Sequence, residues 1–172
     1  SYVLFFFFFS GVAPHYMAHC VVARTLEELG HRTLIVRCLN VYPRCVVMDG
    51  ETLPMDLTDE QRRAACQTCR GYADSMTGAY GLNVIDLPDL IDEDIINRVE
   101  ALLAAAPEDL SSFEIDGFGL GQVCGAEAAV TFKTTDFTGA TPQVRRLLLW
   151  YMEGALLSYF AMKKLLSTGR IA

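Results

Sequence analysis

The first forty residues alternate in a way that few architectures accommodate. Tyr2-Val3-Leu4-Phe5-Phe6-Phe7-Phe8-Phe9 is an unbroken apolar run that stops at Ser10-Gly11. It falls well short of the about 20 apolar residues that a membrane-spanning helix needs. A strand buried on both faces of a parallel sheet reads this way. Ser10-Gly11-Val12-Ala13-Pro14 follows as a turn. A helix is expected from His15 to Leu29, with apolar positions at Met17, Val21, Val22, Leu26 and Leu29 and Gly30 as its stop. Thr33-Leu34-Ile35-Val36-Arg37-Cys38 is a second strand. Strand, helix and strand at this spacing make a parallel β-α-β unit. The expected class is therefore α/β, a Rossmann-like parallel sheet flanked by helices.

The segment 38–81 breaks the alternation and is expected as a cysteine-rich insertion after the second strand. Within it, Met48-Asp49-Gly50 signals a turn, and Thr58-Asp59-Glu60-Gln61 fits a capping box opening a helix that carries Cys66. A third strand is expected over Leu82 to Leu87, and a helix from Asp92 to Ala106, ended by Pro107. Phe113-Glu114-Ile115-Asp116 reads as a short strand before a glycine-rich turn and a helix reaching Thr131. Thr141-Pro142 opens a long apolar helix through Leu166, closed by Gly169. Residues 1–172 thus read as one Rossmann-like domain. The sequence stops where the alternation would place another strand, so the expectation is the N-terminal half of a longer two-domain protein.

Composition narrows the function classes. Hydrophobic residues make up 52% and charged residues 20%, enough for a substantial core and unlike a disordered chain. With 14 Lys and Arg against 21 Asp and Glu, the net charge of −7 excludes nonspecific nucleic-acid binding. No basic stretch precedes the apolar opening and no small-residue cleavage site follows it, so no signal peptide is expected. Arg145, Arg146 and Glu153 interrupt the long apolar helix, so no transmembrane segment is expected. The expected compartment is the reducing cytoplasm, with the inner face of the membrane as a peripheral station.

Four cysteines, Cys38, Cys45, Cys66 and Cys69, are spaced C-x6-C-x20-C-x2-C. A C-x2-C pair presents two sulfurs from one tight turn, and the nearby Gly71 leaves room for N–H groups to approach them. Four thiolates complete a tetrahedral S4 site, suited to zinc or to an iron–sulfur centre such as 4Fe-4S. Arg37, Arg44, Arg62, Arg63 and Arg70 lie within or beside the segment to offset the thiolate charge. Inert core thiols, two disulfides, and a redox dithiol at Cys66 and Cys69 are the competing readings. Cys20 and Cys124 lie inside helical patterns and are expected in the core.

Residues 11–31 carry a turn, His15 and the stretch Val22-Ala23-Arg24-Thr25-Leu26-Glu27-Glu28-Leu29-Gly30-His31. This resembles the opening of GT-B-type glycosyltransferases, whose first helix has the form LAxxLxxxGH; here Val22 replaces the leucine. With the cysteine spacing and the helix containing Tyr151-Met152-Glu153-Gly154-Ala155-Leu156, the chain resembles the N-terminal acceptor-side domain of glycosyltransferase-like proteins from bacterial capsule and surface-polysaccharide clusters. The resemblance implies sugar transfer from a nucleotide-sugar donor, held by a C-terminal donor-binding domain, to a glycan or lipid-linked acceptor. It also implies His15 as the base that deprotonates the acceptor. Asp116 is the candidate to orient that imidazole. Independently of the resemblance, Gly117, Gly119 and Gly121 precede a helix whose N-terminal N–H groups suit an anionic group. Cys124, however, stands where the third glycine of G-x-G-x-x-G would fall counting from Gly119. His19, one helical turn after His15, is expected as a core or groove residue and His31 as structural. The rival to the transferase is a non-catalytic metal-binding or interaction module on an α/β scaffold.

Overall fold

The computed structural model describes residues 2–7, 11–45, 47–48, 57–132 and 141–168. Phe8, Phe9, the Asp49-Gly50 turn and Gly169, on which sequence expectations fall, lie outside them. The chain divides into two compact units: residues 1–41, 45–90 and 161–172 form the first, and 42–44 with 91–160 the second.

The first unit is built on a three-stranded parallel sheet in the order β1 (Tyr2–Phe7), β2 (Arg32–Arg37), β3 (Val84–Asp86). Tyr2 pairs opposite Arg32 and Phe7 opposite Arg37, while Arg37 also stands opposite Asp86. Helix α1 (Ala13–Glu28) connects β1 to β2, and helix α2 (Asp59–Tyr80) connects β2 to β3. The α/β class with a parallel sheet flanked by helices is as the sequence predicts. Cys66 and Cys69, however, stand on α2, the crossover helix of the sheet itself, and not on an insertion set apart from it.

Helix ends follow local chemistry. Helix α1 begins earlier than expected because Ala13 and Pro14 join its first turn, where the missing proline N–H leaves no bond unmade. It ends in a Schellman motif: the N–H groups of Gly30 (φ +88°) and His31 donate to the carbonyls of Glu27 and Leu26, each at 2.9 Å. His31 is structural, as expected. Helix α2 opens on the predicted capping box, with Gln61 N–H to Thr58 Oγ1 at 3.2 Å and Thr58 N–H to Gln61 Oε1 at 3.0 Å.

The core of this unit corrects the expected face of α1. Tyr16, Cys20 and Ala23 are buried with Ile35, Ala73 and Leu82, while Met17, Val21, Val22 and Leu29 are exposed. The buried positions are spaced i, i+4, i+7, so they share one helix face. Small side chains at 20 and 23 let α1 sit close to its neighbours, a fit that a count of apolar residues does not reveal.

In the second unit, α3 (Glu93–Ala104) starts on the Asp92 cap, whose Oδ1 accepts from Ile95 N–H at 3.0 Å. Helix α4 spans Leu120–Phe132, and α5 (Pro142–Ser167) contributes its residues up to Phe160. Leu147, Leu148, Met152 and Leu156 of α5 are buried, as expected. The strand expected at 113–116 does not form. Asp116 (φ +50°) and Gly117 (φ +79°) are consecutive left-handed residues that fold the chain into a tight turn closed by one antiparallel bridge, Ile115 to Phe118. No helix among the described residues is long and apolar enough to cross a membrane.

Candidate functional site

Parallel α/β sheets place their ligand sites at the carboxyl ends of the strands. In the first unit that edge carries the end of β2, where Arg37 is followed by Cys38. After Cys38 the chain reverses through Leu39 (φ 42°) and Asn40 (φ 68°). A leucine held in the left-handed region costs on the order of 1–3 kcal/mol, strain that folded structures concentrate at working sites. The reversal helps to enclose a cavity of about 20 Å³ whose wall includes Cys38, Cys45, Cys66 and Cys69. That is room for roughly one water-sized body.

All six cysteines are thiols, with no disulfide among them. Cys66 and Cys69 stand at i, i+3 in the interior of α2, not in a tight turn. Their sulfurs share a face because three residues is close to one helical turn. Gly71 is also inside the helix, and a Cβ there would meet nothing within 4 Å, so it does not serve to bring N–H groups to the sulfurs. Burial pushes the Cys66 thiol up to about 11, and the neighbouring Cys45 and Cys69 add to that rise while Arg62 opposes it. Four thiols are a soft donor set of the kind that suits a thiophilic ion. The sulfurs are not preassembled around it: among the described residues, no three His, Cys, Asp or Glu side chains stand together as metal ligands.

The expected set of charge-balancing arginines is only partly realised. Arg70 lines the cavity, and Arg62 acts on Cys66. Arg37 is instead committed elsewhere. It is buried and donates from Nε to Asp86 Oδ1 at 2.6 Å and from Nη2 to Asp86 Oδ2 at 2.9 Å, a bidentate pair. Its Nη1 donates to Asp74 Oδ1 at 2.6 Å. Burial pulls the guanidinium towards neutrality, and the two carboxylates outweigh it, leaving its pKa raised. This network ties β2, β3 and α2 together beside the cysteines. It was not read from the sequence because the three residues are 37 and 49 positions apart; the register of two parallel strands creates it.

Two further contacts join α2 to the β1–α1 turn. A Cβ placed on Gly11 would lie 3.0 Å from Val47 Cγ1, 3.1 Å from Val47 Cγ2 and 3.5 Å from Cys69 Sγ. The turn backbone is therefore seated directly against the cysteine site. One helical turn beyond Cys69, the Tyr72 hydroxyl donates to the carbonyl of Ala13 at 3.2 Å. The Tyr72 ring also meets Tyr16 edge-on at 6.4 Å between centroids. Burial raises the Tyr16 phenol well above its ordinary pKa, and Cys20 adds to the rise. His15 is exposed in the first turn of α1. Its carbonyl accepts from His19 Nδ1 at 2.8 Å, and the His19 ring packs edge-on to Phe5 at 6.2 Å. His19 is half-buried.

The remaining candidates belong to the second unit. Asp116 accepts a hydrogen bond from the Tyr159 hydroxyl at Oδ2. Because His15 lies in the first unit, neither unit by itself assembles the His15–Asp116 dyad. Two of the three candidate glycines have backbone reasons to be glycine, whereas a Cβ on Gly119 would make only ordinary contact with Gln122. Gly117 is left-handed, and a Cβ on Gly121 would collide with the Leu110 carbonyl. The Gly121 N–H at the start of α4 donates to the Phe113 carbonyl at 2.9 Å, and the Leu120 N–H to Phe118 at 2.8 Å. Cys20 and Cys124 are buried, as expected.

Comparison of the chain with protein-family models, curated proteins and solved structures gives no match.

Proposed function

We propose that this protein is a metal-binding α/β domain in which Cys38, Cys45, Cys66 and Cys69 hold a single zinc ion at the carboxyl edge of the parallel sheet. One observation carries the reading: Cys38, Cys45 and, from helix α2, Cys66 and Cys69 line one cavity. A 4Fe-4S cluster is the alternative occupant of the same four thiolates. Zinc binds thiolates, so its uptake would displace the thiol protons to solvent, Cys66, whose pKa burial raises, included. Bound, the ion would cross-link the end of β2, the Cys45 turn and helix α2. The test is cobalt substitution of the reduced protein. The reading expects one equivalent of cobalt with the intense visible bands of a tetrahedral thiolate site, lost in Cys66→Ser. Absence of stoichiometric thiolate binding refutes it.

A second reading has its own support. The β1–α1 turn carries exposed His15 at the sheet edge where α/β proteins bind ligands. As the acceptor-side domain of a surface-polysaccharide glycosyltransferase, the protein would use His15 to take the proton of the attacking hydroxyl. A separate domain would hold the nucleotide sugar. In the full-length protein, His15→Ala should then lower sugar transfer by about 10²-fold or more with the fold unchanged. Near-normal turnover would remove that reading.

A further inference from the structure

Between the cysteine cavity and the first turn of α1 there is no spacer. A methyl group on Gly11 would press on Val47 at 3.0 Å and reach Cys69 Sγ at 3.5 Å, and Val47 itself lines the cavity. Two positions before Gly71, Cys69 faces this turn; one helical turn after Cys69, Tyr72 reaches past it to the Ala13 carbonyl. Cys66, Cys69 and Tyr72 thus follow one another at i, i+3, i+6 along one side of α2, from the cavity to the segment that presents His15. Gly11 is not left-handed, so its lack of a side chain answers to this close approach and not to backbone conformation.

We infer that the cysteine site positions the β1–α1 turn: ion uptake at the four cysteines sets the placement of Gly11 to Ala13, and with them His15, through direct contact at Gly11 and the Tyr72 hydroxyl. This rests on the cysteine cavity being a cation site. Tyr72 is a positioning residue, acting on His15 only through the turn. Drawing the four sulfurs together around an ion would displace Cys69 Sγ, the nearest sulfur to the Gly11 position. Coupling of this kind is reciprocal, so a change at the turn must alter ion affinity by the same factor as the ion alters the turn.

The experiment uses the reduced full chain with zinc as the probe. Amide hydrogen exchange over residues 11–17 should slow by about tenfold on zinc addition. The slowing should be greater there than at residues 24–29 at the far end of α1, which general stabilisation would protect equally. Gly11→Ala, whose methyl group presses on Val47 and Cys69, should weaken zinc binding by roughly tenfold while the zinc-free protein keeps its circular dichroism. Tyr72→Phe should still bind one zinc through thiolates but lose at least about half of the added protection at 11–17. Stoichiometric thiolate binding with unchanged exchange at 11–17, or a Gly11→Ala protein with unaltered affinity, overturns the inference and leaves the metal site standing. Failure of the wild-type protein to bind zinc through thiolates overturns the metal site, and the inference with it.

Discussion

Replacing Arg37 with methionine isolates the energetics of the carboxyl edge. The arginine is 5% exposed, and its partners differ sharply: the Asp86 side chain retains 22% exposure and that of Asp74 52%. Removing one member of a buried pair costs about 3–5 kcal/mol because the other charge is left without compensation. Asp86 keeps some water, so the low end applies, about 3 kcal/mol. The half-exposed Asp74 bond contributes at most about 1 kcal/mol of this. With a urea dependence of about 2 kcal/mol per molar, Arg37→Met should lower the unfolding midpoint by about 1.5 M, and Asp74→Asn by no more than about 0.5 M. Asp86→Asn should fall between the two. The assay is urea unfolding at neutral pH followed by far-ultraviolet circular dichroism. A midpoint within about 0.3 M of wild type for Arg37→Met would refute the argument, as would an Asp74→Asn cost equal to that of Arg37→Met.

Three further outcomes are expected. Thr58→Ala removes the capping box of α2 and should cost about 1 kcal/mol in the same assay, whereas Thr58→Ser should cost little. Gly121→Ala drives a methyl group into the Leu110 carbonyl and should cost about 2–3 kcal/mol; a neutral substitution would contradict the packing of α4 described above. In the zinc-free protein the Cys66 thiol, raised to about 11, contributes stability that is complete below the ordinary thiol pKa and lost as pH climbs through 11. Unfolding midpoints should therefore hold level to about pH 8 and fall beyond about pH 9, less steeply in Cys66→Ser. Zinc affinity should move oppositely, rising with pH as the thiols ionise more readily.

Local signals in the sequence were read well. The apolar opening, the glycine stop after α1 and the Thr58 capping box each act within a few residues, and together they define β1, α1, β2 and the start of α2. Features made by distant residues were not. The Arg37 network depends on β2 and β3 lying side by side in register. The buried face of α1 depends on what packs against it, and a helix whose apolar residues are spread around its circumference offers more than one candidate face. The Thr58 capping box correctly implies a helix that carries Cys66, and with no glycine or proline between Thr58 and Cys69 to stop it the helix runs on through Cys69, so the tight turn that C-x2-C can also form does not arise. Asp116-Gly117 carried the opposite lesson: the dipeptide is a turn signal, and it overrode the apolar alternation at Phe113 and Ile115. The four cysteines of the C-x6-C-x20-C-x2-C pattern line one cavity, but among the described residues no three of them stand together as metal ligands.

X-ray absorption at the zinc edge of the metal-loaded protein tests the central claim most directly. Four sulfur neighbours at about 2.3 Å, falling to three with one lighter ligand in Cys38→Ser or Cys66→Ser, are the predicted result. A shell dominated by nitrogen or oxygen, or one unchanged when either cysteine is replaced, would contradict the account.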